Sequence, residues 1–555
     1  MSGAPADGRA PDLVFAGGSV WTGDGARARA TAVAVTGGRI MAVGGDEVRE
    51  LAGPRTEVVD LAGRLLLPGF QDAHAHPVSA GLALRACSLT GLGSVQAYLD
   101  AIGRYAAENP DRPWVQGGGW SFPAFAPGLP TRGQLDAVVA DRPVYLQVSD
   151  GHSAWVNSRA LAEAGIDART PDPAGGRIER DEQGEPTGVL HEQAMALVGD
   201  LAPLPSEQEK LAALELAQSR LHALGITAWQ DAIVGRYGGW QDQYDTYVEA
   251  GRTGLLTARV RGALWWDRTK GMEQVDDLVD RRARGTSGRF SAGTVKVMQD
   301  GIPENFTAAL SEPYLDACGC TSDNAGISML EPALLTEATV RLVGLGFQMH
   351  FHAIGDRALT EVLDALDAAR AAHGDRDLRH HVAHLQVVRP QDVARFRQLG
   401  VTANLQPLWA AHEAQMDELC VPFLGPERAA WQYPFGDLLR SGAALAGGSD
   451  WPVSSANPME GISVAVNRLV PGAAAGTPVF LPEQRLDLGT ALAAYTAGSA
   501  RVNHLDDTGT IRVGALADLA VLDRDPFDGP PEDIWQARAV STFVEGQRVH
   551  PAPEL

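Results

Sequence analysis

Short apolar segments alternate with longer amphipathic segments through the middle of the chain. Seven short segments are rich in β-branched residues and bounded by turn residues, which predicts strands at 226–231, 255–260, 294–298, 347–352, 381–384, 401–405 and 443–446. Between them, residues 357–372, 391–399 and 488–502 have apolar positions at helical spacing. A further helix is predicted after the capping box Ser206-Glu-Gln-Glu209, running toward Gly225.

An eighth strand, residues 65–72, leads this alternation. Eight strands that are mostly followed by helices close most simply into a (β/α)8 barrel, with functional residues at the carboxyl ends of the strands. Residues from about 84 to 204 break the alternation. We interpret them as a long insertion after barrel strand 1 that covers the active-site mouth.

Both ends of the chain have a different pattern, with short β-branched segments separated by glycine-rich turns. This pattern covers residues 13–60 and is found again at residues 517–523 and 540–544. The predicted fold class is therefore α/β: a TIM-like barrel of residues 65–504, with a small β-sandwich domain built from residues 1–64 and 505–555.

Composition narrows the class of protein. The 555 residues are 45% apolar and 21% charged, as in an ordinary soluble globular protein, and the formal net charge is −23. That charge argues against nucleic acid and anionic membranes as partners. No signal peptide or membrane-spanning run is visible, and four cysteines do not make a disulfide framework in so long a chain. We expect a cytoplasmic protein.

Histidines, a lysine and an aspartate stand at the ends of the predicted strands. His74 and His76 alternate with alanines, so both imidazoles face one side of an extended strand and can chelate one metal ion. Lys296, His352, His384 and Asp450 each close a different predicted strand. A single interior histidine is more often a packed core residue than a ligand, but six such positions at strand ends favour a metal site.

Lys296 is unusual because the chain has only two other lysines, Lys210 and Lys270. Period-two alternation places its side chain inside the barrel, where an unpaired ammonium group is costly. Carboxylation by CO2 would convert the amine into an anionic group able to bridge two metal ions. The alternative is an ion pair with Asp300.

These residues together resemble the metal-dependent amidohydrolase superfamily, and most closely its amidohydrolase family 3 branch, which includes N-substituted formamide deformylases. The resemblance rests on Pro68-Gly-Phe-Gln-Asp-Ala-His-Ala-His76, the Lys296 strand, His352-Ala-Ile-Gly-Asp-Arg-Ala358, His384 and Gly448-Ser-Asp-Trp-Pro452. It covers nearly the whole chain. It implies a one- or two-metal centre, usually zinc, on a (β/α)8 barrel that hydrolyses C–N bonds, and a homodimer.

The resemblance also implies roles for the residues. His74 and His76 would bind the first metal, carboxylated Lys296 would bridge, and His352 and His384 would bind the second. Asp450 would contact the first metal and act as the catalytic proton shuttle. His350 lies two residues before His352 and faces the same way, so His350 could be the metal ligand in place of His352.

A water between two divalent cations has a pKa near neutrality and becomes a hydroxide nucleophile. Asp450 would take its proton and pass it to the leaving nitrogen. The predicted function is hydrolysis of a small N-substituted amide, with N-substituted formamides, which give formate and an amine, as a candidate class. Aromatic and polar side chains near the mouth are candidate substrate contacts: Trp120, Asp150, His152, Trp409 and Trp451. The alternative for the tryptophans is packing of the insertion onto the barrel.

Other functions compete with this one. A deaminase or a cyclic amide or imide hydrolase could occupy the same barrel. By resemblance, mononuclear deaminases carry a glutamate shortly after the histidine of the fifth strand and no bridging lysine, whereas this chain has Asp356 and Lys296. A non-catalytic scaffold homologue would typically have lost metal ligands, and this sequence keeps all six.

Overall fold

One sheet of eight parallel strands carries the polar residues singled out above. A computed structural model describes residues 10–25, 28–125, 128–148, 153–173, 176–237 and 241–551. The strands of this sheet, labelled β1 to β8 in chain order, are Phe70–Ala75, Ile226–Val234, Arg259–Trp265, Phe290–Met298, Gln348–Ala353, His381–His384, Thr402–Leu405 and Ala444–Gly447. Each pairs in parallel with its sequence neighbour, so all eight carboxyl ends lie on one edge.

The first and last strands of the sheet meet at that edge. The backbone N–H of Asp450, after β8, donates to the carbonyl of His74 on β1 over 2.7 Å. The side-chain amide of Asn404 on β7 donates to the carbonyl of Ala73 over 3.0 Å. The predicted TIM-like barrel is confirmed.

Helices follow most of the strands, as the alternation of the sequence predicts. Their bounds are Tyr244–Thr253, Val275–Arg284, Pro332–Gly344, Asp356–His373, Pro390–Leu399, Val421–Ala429, Phe435–Ser441, Pro458–Asn467, Leu488–Ala493 and Ser499–Val502. The helix Glu207–Ala223 precedes β2, and its capping box is formed: Ser206 N donates to the Glu209 carboxylate over 3.0 Å, and Glu209 N donates to Ser206 Oγ over 3.3 Å. Within the described part of the chain, every helix is too short or too polar to cross a bilayer.

Two further sheets come from the ends of the chain, one from its N-terminal part alone and one from both ends. The four-stranded sheet has the order Arg39–Gly44, Ala32–Thr36, Leu13–Ala16, Glu57–Asp60. The six-stranded sheet has the order Gln547–His550, Ala539–Val544, Leu519–Leu522, Leu65–Pro68, Ser19–Trp21, Arg29–Ala30. Phe15 of the first sheet and Phe543 of the second belong to one buried apolar cluster, with their rings in edge-to-face contact at 4.9 Å.

The predicted first barrel strand, residues 65–72, is wrong in its extent. Leu65–Pro68 pairs antiparallel with Leu519–Leu522 in the six-stranded sheet, and β1 begins only at Phe70. Gly69 separates the two strands, and a Cβ there would lie 2.4 Å from Thr227 Cγ2. The barrel therefore starts after Gly69 rather than at residue 65.

The predicted third strand is also displaced. The sequence predicts residues 255–260, whereas β3 spans Arg259–Trp265. Arg259, next to last in the predicted strand, is the first residue of β3, and its guanidinium forms ion pairs with Asp518 and Glu545 from the far end of the chain. These two distant carboxylates compensate the charge at the start of the strand, which local patterning places four residues earlier.

Residues Val78–Leu214 form a compact unit of their own, longer than the insertion of about 84–204 that the sequence predicts. Its sheet has the order Gly176–Arg180, Pro186–Glu192, Ser153–Val156, Val144–Val148, Val115–Trp120, Cys87–Ser88. The helices Val95–Glu108, Arg132–Asp136 and Ser158–Glu163 accompany it. That the unit covers the active-site mouth stays a prediction.

Candidate metal centre

His74, His76 and Asp450 form the tightest group of metal-binding side chains at the carboxyl edge of the barrel. Asp450 Oδ1 lies 3.1 Å from His74 Nε2 and 2.9 Å from His76 Nε2. All three residues are buried, and one ligand atom from each lies within 4.8 Å of the others. Two imidazoles and a carboxylate are donors that suit a divalent cation.

The backbone around this group is fixed by Asp72, which lies two residues before His74. The Asp72 carboxylate accepts hydrogen bonds from His74 N at 2.9 Å, Ser449 N at 3.0 Å and Ser449 Oγ at 2.5 Å. Burial raises the pKa of Asp72 to about 6, although these hydrogen bonds oppose the shift. Asp72 therefore ties the end of β1 to the segment that follows β8.

Two of the candidate ligands have backbone conformations that L-residues rarely adopt. The φ angle of Asp450 is 55° and that of His384 is 82°. Such left-handed conformations cost of order 1–3 kcal/mol each and persist where surrounding contacts enforce them. For Asp450 those contacts include the hydrogen bonds from its N–H to His74 and from Val453 N–H to its carbonyl, both 2.7 Å.

Lys296 projects from β4 into the barrel, as its alternation predicts, and is only 2% exposed. Its Nζ donates to His350 Nε2 over 3.4 Å and forms no ion pair with any carboxylate in the described residues. Burial lowers the pKa of Lys296 to about 7, so a large fraction of the amine is uncharged near neutrality. An uncharged amine is the form that reacts with CO2.

The alternative of a Lys296–Asp300 ion pair is wrong. The Asp300 carboxylate instead accepts hydrogen bonds from the backbone N–H groups of Ala309, Ile354 and Gly355, at 3.0, 3.0 and 2.7 Å. Asp300 thus holds the loop after β5, and Lys296 is left without an anionic protein partner among the described residues.

His384 on β6 lies beside His74, and His352 on β5 lies beside His384. The His352 and His384 ring centroids are 4.4 Å apart, and the His384 and His74 centroids are 4.8 Å apart. His384 Nδ1 is buried and has no hydrogen-bond partner among the described atoms. A buried ring nitrogen without a partner fits a metal ligand, since coordination would satisfy its lone pair.

His350, the residue open to confusion with His352, has both ring nitrogens engaged by protein. Its Nδ1 lies 2.7 Å from Gln230 Oε1, and its Nε2 lies 2.9 Å from His74 Nδ1. His352 Nε2, by contrast, has only long contacts, 3.5 Å to the carbonyl of Gly301 and 3.6 Å to Asp300 Oδ1. The geometry favours His352 as the ligand.

The electrostatics of the site suit cation binding. Burial lowers the pKa of His74 and His352 to about 3, and that of His384 well below its ordinary value, so these imidazoles are neutral donors near pH 7. The donor set therefore combines neutral nitrogens with the carboxylate of Asp450.

The proposed substrate contacts fall in different parts of the structure. Trp409, after β7, stacks on the His384 ring with centroids 5.3 Å apart and planes inclined by 14°, so it forms an apolar wall of the site. Trp451 follows Asp450, and its carbonyl accepts from His76 N over 2.8 Å. Trp120 is fully buried in the Val78–Leu214 unit, where its Nε1 donates to Leu146 O over 2.8 Å, so it packs inside that unit. Asp150 and His152 lie outside the described residues.

Three buried polar residues that touch the site were missed by sequence reasoning: Gln230, His381 and Asn404. Gln230 Oε1 lies 3.0 Å from His381 Nε2, and Asn404 Nδ2 lies 3.1 Å from His381 Nδ1. Each stands on a barrel strand that is otherwise mostly apolar. That interruption was the signal available in the sequence.

Comparison with known proteins agrees with this geometry. The sequence model of the amidohydrolase family matches residues 57–550. N-substituted formamide deformylase from Arthrobacter pascens is 30% identical, over 96% of this chain and 97% of that protein. Protein LONG AFTER FAR-RED 3 from Arabidopsis thaliana is 32% identical, over 99% and 93%. The crystal structure of an uncharacterized metal-dependent hydrolase from Pyrococcus furiosus has a TM-score of 0.74 at 27% identity, covering 93% of this chain and 99% of that one.

Proposed function

The chain belongs to the amidohydrolase family, and from that premise we propose that it is a metal-dependent hydrolase of the C–N bond in N-substituted amides. The observation that carries the proposal is the position of Asp450, whose carboxylate touches both His74 and His76 at the carboxyl edge of the barrel. One carboxylate is thereby placed both to bind a cation and to handle a proton beside it.

The residues proposed to hold one or two divalent cations, zinc in the first instance, are His74, His76, Lys296, His352, His384 and Asp450. A divalent cation in such a site lowers the pKa of water and polarises a carbonyl. The metal-dependent hydrolase of similar fold supports a divalent metal here. We further propose that Lys296 is carboxylated: its neutral amine forms a bond to the carbon of CO2, and one proton is released.

Asp450 supplies the proton transfers in this proposal. Its ionised carboxylate accepts a proton from the attacking water and then delivers it to the leaving nitrogen, because an amine leaves poorly unless protonated. The neutral imidazoles around it donate lone pairs and take no part in the transfer. Trp409 excludes water from one side of the site and offers an apolar face for the substituent on the substrate nitrogen.

Deamination is disfavoured by the surroundings of Asp356. This carboxylate accepts from Ser311 N at 3.0 Å and pairs with Arg389 Nε at 2.8 Å, so one oxygen binds the segment after β4 and the other the residue before the helix Pro390–Leu399. Asp356 is therefore not available to act as a proton shuttle for a deaminase.

A hydrolysis screen tests the proposal. Zinc-loaded protein is assayed with formanilides, N-benzylformamide, longer N-acyl amines and cyclic imides, with release of acid and amine measured separately. The similarity to a formamide deformylase and the apolar wall favour N-aryl and N-benzyl formamides, which would give formate. Turnover of cyclic imides alone would move the proposal to the imide alternative, and no amide turnover by metal-loaded protein would contradict it.

A further inference from the structure

Buried amide side chains connect the backbone of the barrel to His74 through two independent chains of hydrogen bonds. The first begins at Gln348 on β5, whose amide nitrogen donates to the carbonyls of Arg379 and Val502, both at 2.7 Å. Because carbonyl oxygens only accept, these contacts identify the NH2 group of Gln348. Its Oε1 must then be an acceptor, for Thr294 Oγ1 at 2.6 Å and Gln230 Nε2 at 3.3 Å.

The second chain approaches from β7. Gln406 Oε1 accepts from the backbone N–H of His384 over 2.6 Å, so its amide nitrogen donates to Asn404 Oδ1 over 3.0 Å. The NH2 group of Asn404 donates to the Ala73 carbonyl at 3.0 Å and to His381 Nδ1 at 3.1 Å. His381 therefore presents its lone pair on Nδ1, and a neutral His381 carries its proton on Nε2.

Both chains assign the same orientation to Gln230. The protonated Nε2 of His381 lies 3.0 Å from Gln230 Oε1, and the same oxygen lies 2.7 Å from His350 Nδ1. An acceptor at that distance places the proton of His350 on Nδ1. The other nitrogen of His381 already accepts from Asn404, so that ring carries a single proton.

The remaining nitrogen of His350, Nε2, is therefore an acceptor. Its nearest partner is His74 Nδ1 at 2.9 Å, and the contact with Lys296 Nζ is longer at 3.4 Å. We propose that Gln230 and His350 are positioning residues that hold the proton of His74 on Nδ1 and leave the Nε2 lone pair facing the metal site. The inference rests on the proposed function, because only a cation makes use of that lone pair.

The surroundings of His74 Nε2 fit this arrangement. The nitrogen lies 3.1 Å from Asp450 Oδ1, so a lone pair and a carboxylate oxygen face each other. Two such acceptors repel unless a cation lies between them. Hydrogen bonds from outside the ligand set orient metal-binding histidines in this way, and their loss typically weakens metal affinity 10- to 100-fold.

The proton position is tested directly in the full-length wild-type protein after metal removal with a chelator. Nitrogen-15 chemical shifts of labelled histidines distinguish protonated from unprotonated ring nitrogens, and the signals that vanish in His74→Asn identify His74. We expect a protonated Nδ1 and an unprotonated Nε2 for His74. A proton on Nε2 would overturn the inference without recourse to any other variant.

Variants at Gln230 test the consequence for metal binding. Gln230→Leu removes the acceptor for His350, so the proton of His350 can move to Nε2 and displace that of His74 from Nδ1. We expect zinc affinity, measured by competition with a chromogenic chelator, to fall at least about tenfold. Gln230→Glu should retain affinity, because one oxygen accepts from His350 and the other, when protonated, donates to Gln348.

Gln71→Leu is the matched control. Gln71 is as fully buried as Gln230 and lies on β1, but its amide donates to Thr508 Oγ1 at 2.7 Å, outside both chains of hydrogen bonds. Equal zinc affinity of Gln230→Leu and Gln71→Leu would overturn the inference; if Gln230→Leu does not fold, the wild-type spectrum and Gln230→Glu decide it. Wild-type protein that binds no zinc while His74 is protonated on Nδ1 would contradict the proposed function and support the proton arrangement.

Discussion

At the scale of single residues, a variant of Asp450 should lose catalytic turnover while keeping its bound metal. Asp450→Asn leaves the other five proposed ligands in place but cannot accept a proton, so we expect most of the metal to remain. Turnover should fall by at least about a hundredfold, the lower scale for loss of a positioned acid–base group. Metal analysis and amide hydrolysis are compared with those of Asp245→Asn, the same change at an exposed helical site. Turnover within tenfold of wild type would contradict the shuttle role.

Lys296 should behave differently, because the proposal makes it a bridge. Lys296→Ala should lose metal and activity together, and short-chain carboxylates added to the solution should partly restore both. Lys296→Arg should be no better, since a guanidinium cannot form the carbamate and keeps its positive charge beside the cations. Full metal content and normal turnover in Lys296→Arg would show that Lys296 is not carboxylated.

His222, which lies outside the metal site, should make the free energy of unfolding depend on pH. It is buried, with Nδ1 2.9 Å from the Ile226 carbonyl and Nε2 2.7 Å from Thr257 Oγ1, and burial lowers its pKa to about 4. Between pH 4 and the ordinary value of 6.5 the unfolded state binds a proton that the folded state does not, so the free energy of unfolding rises with pH. The stabilisation is complete above pH 6.5 and is lost as the pH falls toward 4, with a range of about 3 kcal/mol.

His222→Gln does not titrate, which isolates this effect from that of other groups. We expect the stability of wild type relative to His222→Gln to decrease as the pH is lowered from 7 to 4.5 in urea unfolding. A difference between the two proteins that stays constant over this range would contradict the assignment of a neutral buried His222.

At the scale of elements, the junction at Gly69 makes a sharp packing prediction. A Cβ on Gly69 would lie 2.4 Å from Cγ2 and 2.7 Å from Oγ1 of Thr227 on β2. Gly69→Ala should therefore destabilise the protein by about 1–3 kcal/mol through overpacking. Adding Thr227→Ala to Gly69→Ala should recover much of this loss. The single variant Thr227→Ala should itself be destabilising, because it removes a hydrogen bond to the Phe70 carbonyl. Gly293→Ala on β4, where nothing lies within 4 Å, is the control, and additive effects in the double variant would refute the clash.

The sequence predicts elements well where the pattern is local. β6 spans His381–His384 as predicted, and the helix after β5 spans Asp356–His373 against a predicted 357–372. Prediction misplaces β3, which begins only at Arg259, the residue paired with Asp518 and Glu545, and it fails at residues 65–72, where one apolar run contributes to two sheets. In each case the deciding partner lies more than a hundred residues away, beyond the reach of any local pattern.

The same contrast between local patterns and distant partners applies to the residues of the candidate site. Its proposed ligands were predicted because each ends a strand, and parallel strands bring their carboxyl ends together. The supporting residues were not, because Gln230, Gln348 and Asn404 resemble ordinary interruptions of apolar strands. Their role depends on which amide end faces which histidine, and that is a property of the assembled barrel.

At the scale of the whole molecule, the barrel and the two terminal sheets form one compact unit, and Val78–Leu214 forms another. All six proposed ligands lie in the first unit, although its sequence is interrupted by the second. The homodimer implied by the family resemblance stays a prediction, which light scattering would contradict by giving a mass near 58.7 kDa.

Metal binding should stabilise the whole barrel, because its ligands are far apart along the chain. His76 and Asp450 are 374 residues apart, and the unfolded chain cannot hold them together. Zinc at 100 times its dissociation constant should add about 2.7 kcal/mol, so chelation should lower the unfolding temperature and zinc should restore it. The other candidate group among the described residues is the exposed Asp316, Cys318 and Cys320. We expect His74→Asn to abolish the response in a thermal unfolding scan and the double variant Cys318→Ser, Cys320→Ser to retain it. The opposite pattern would place the stabilising ion at the surface loop and contradict the barrel site.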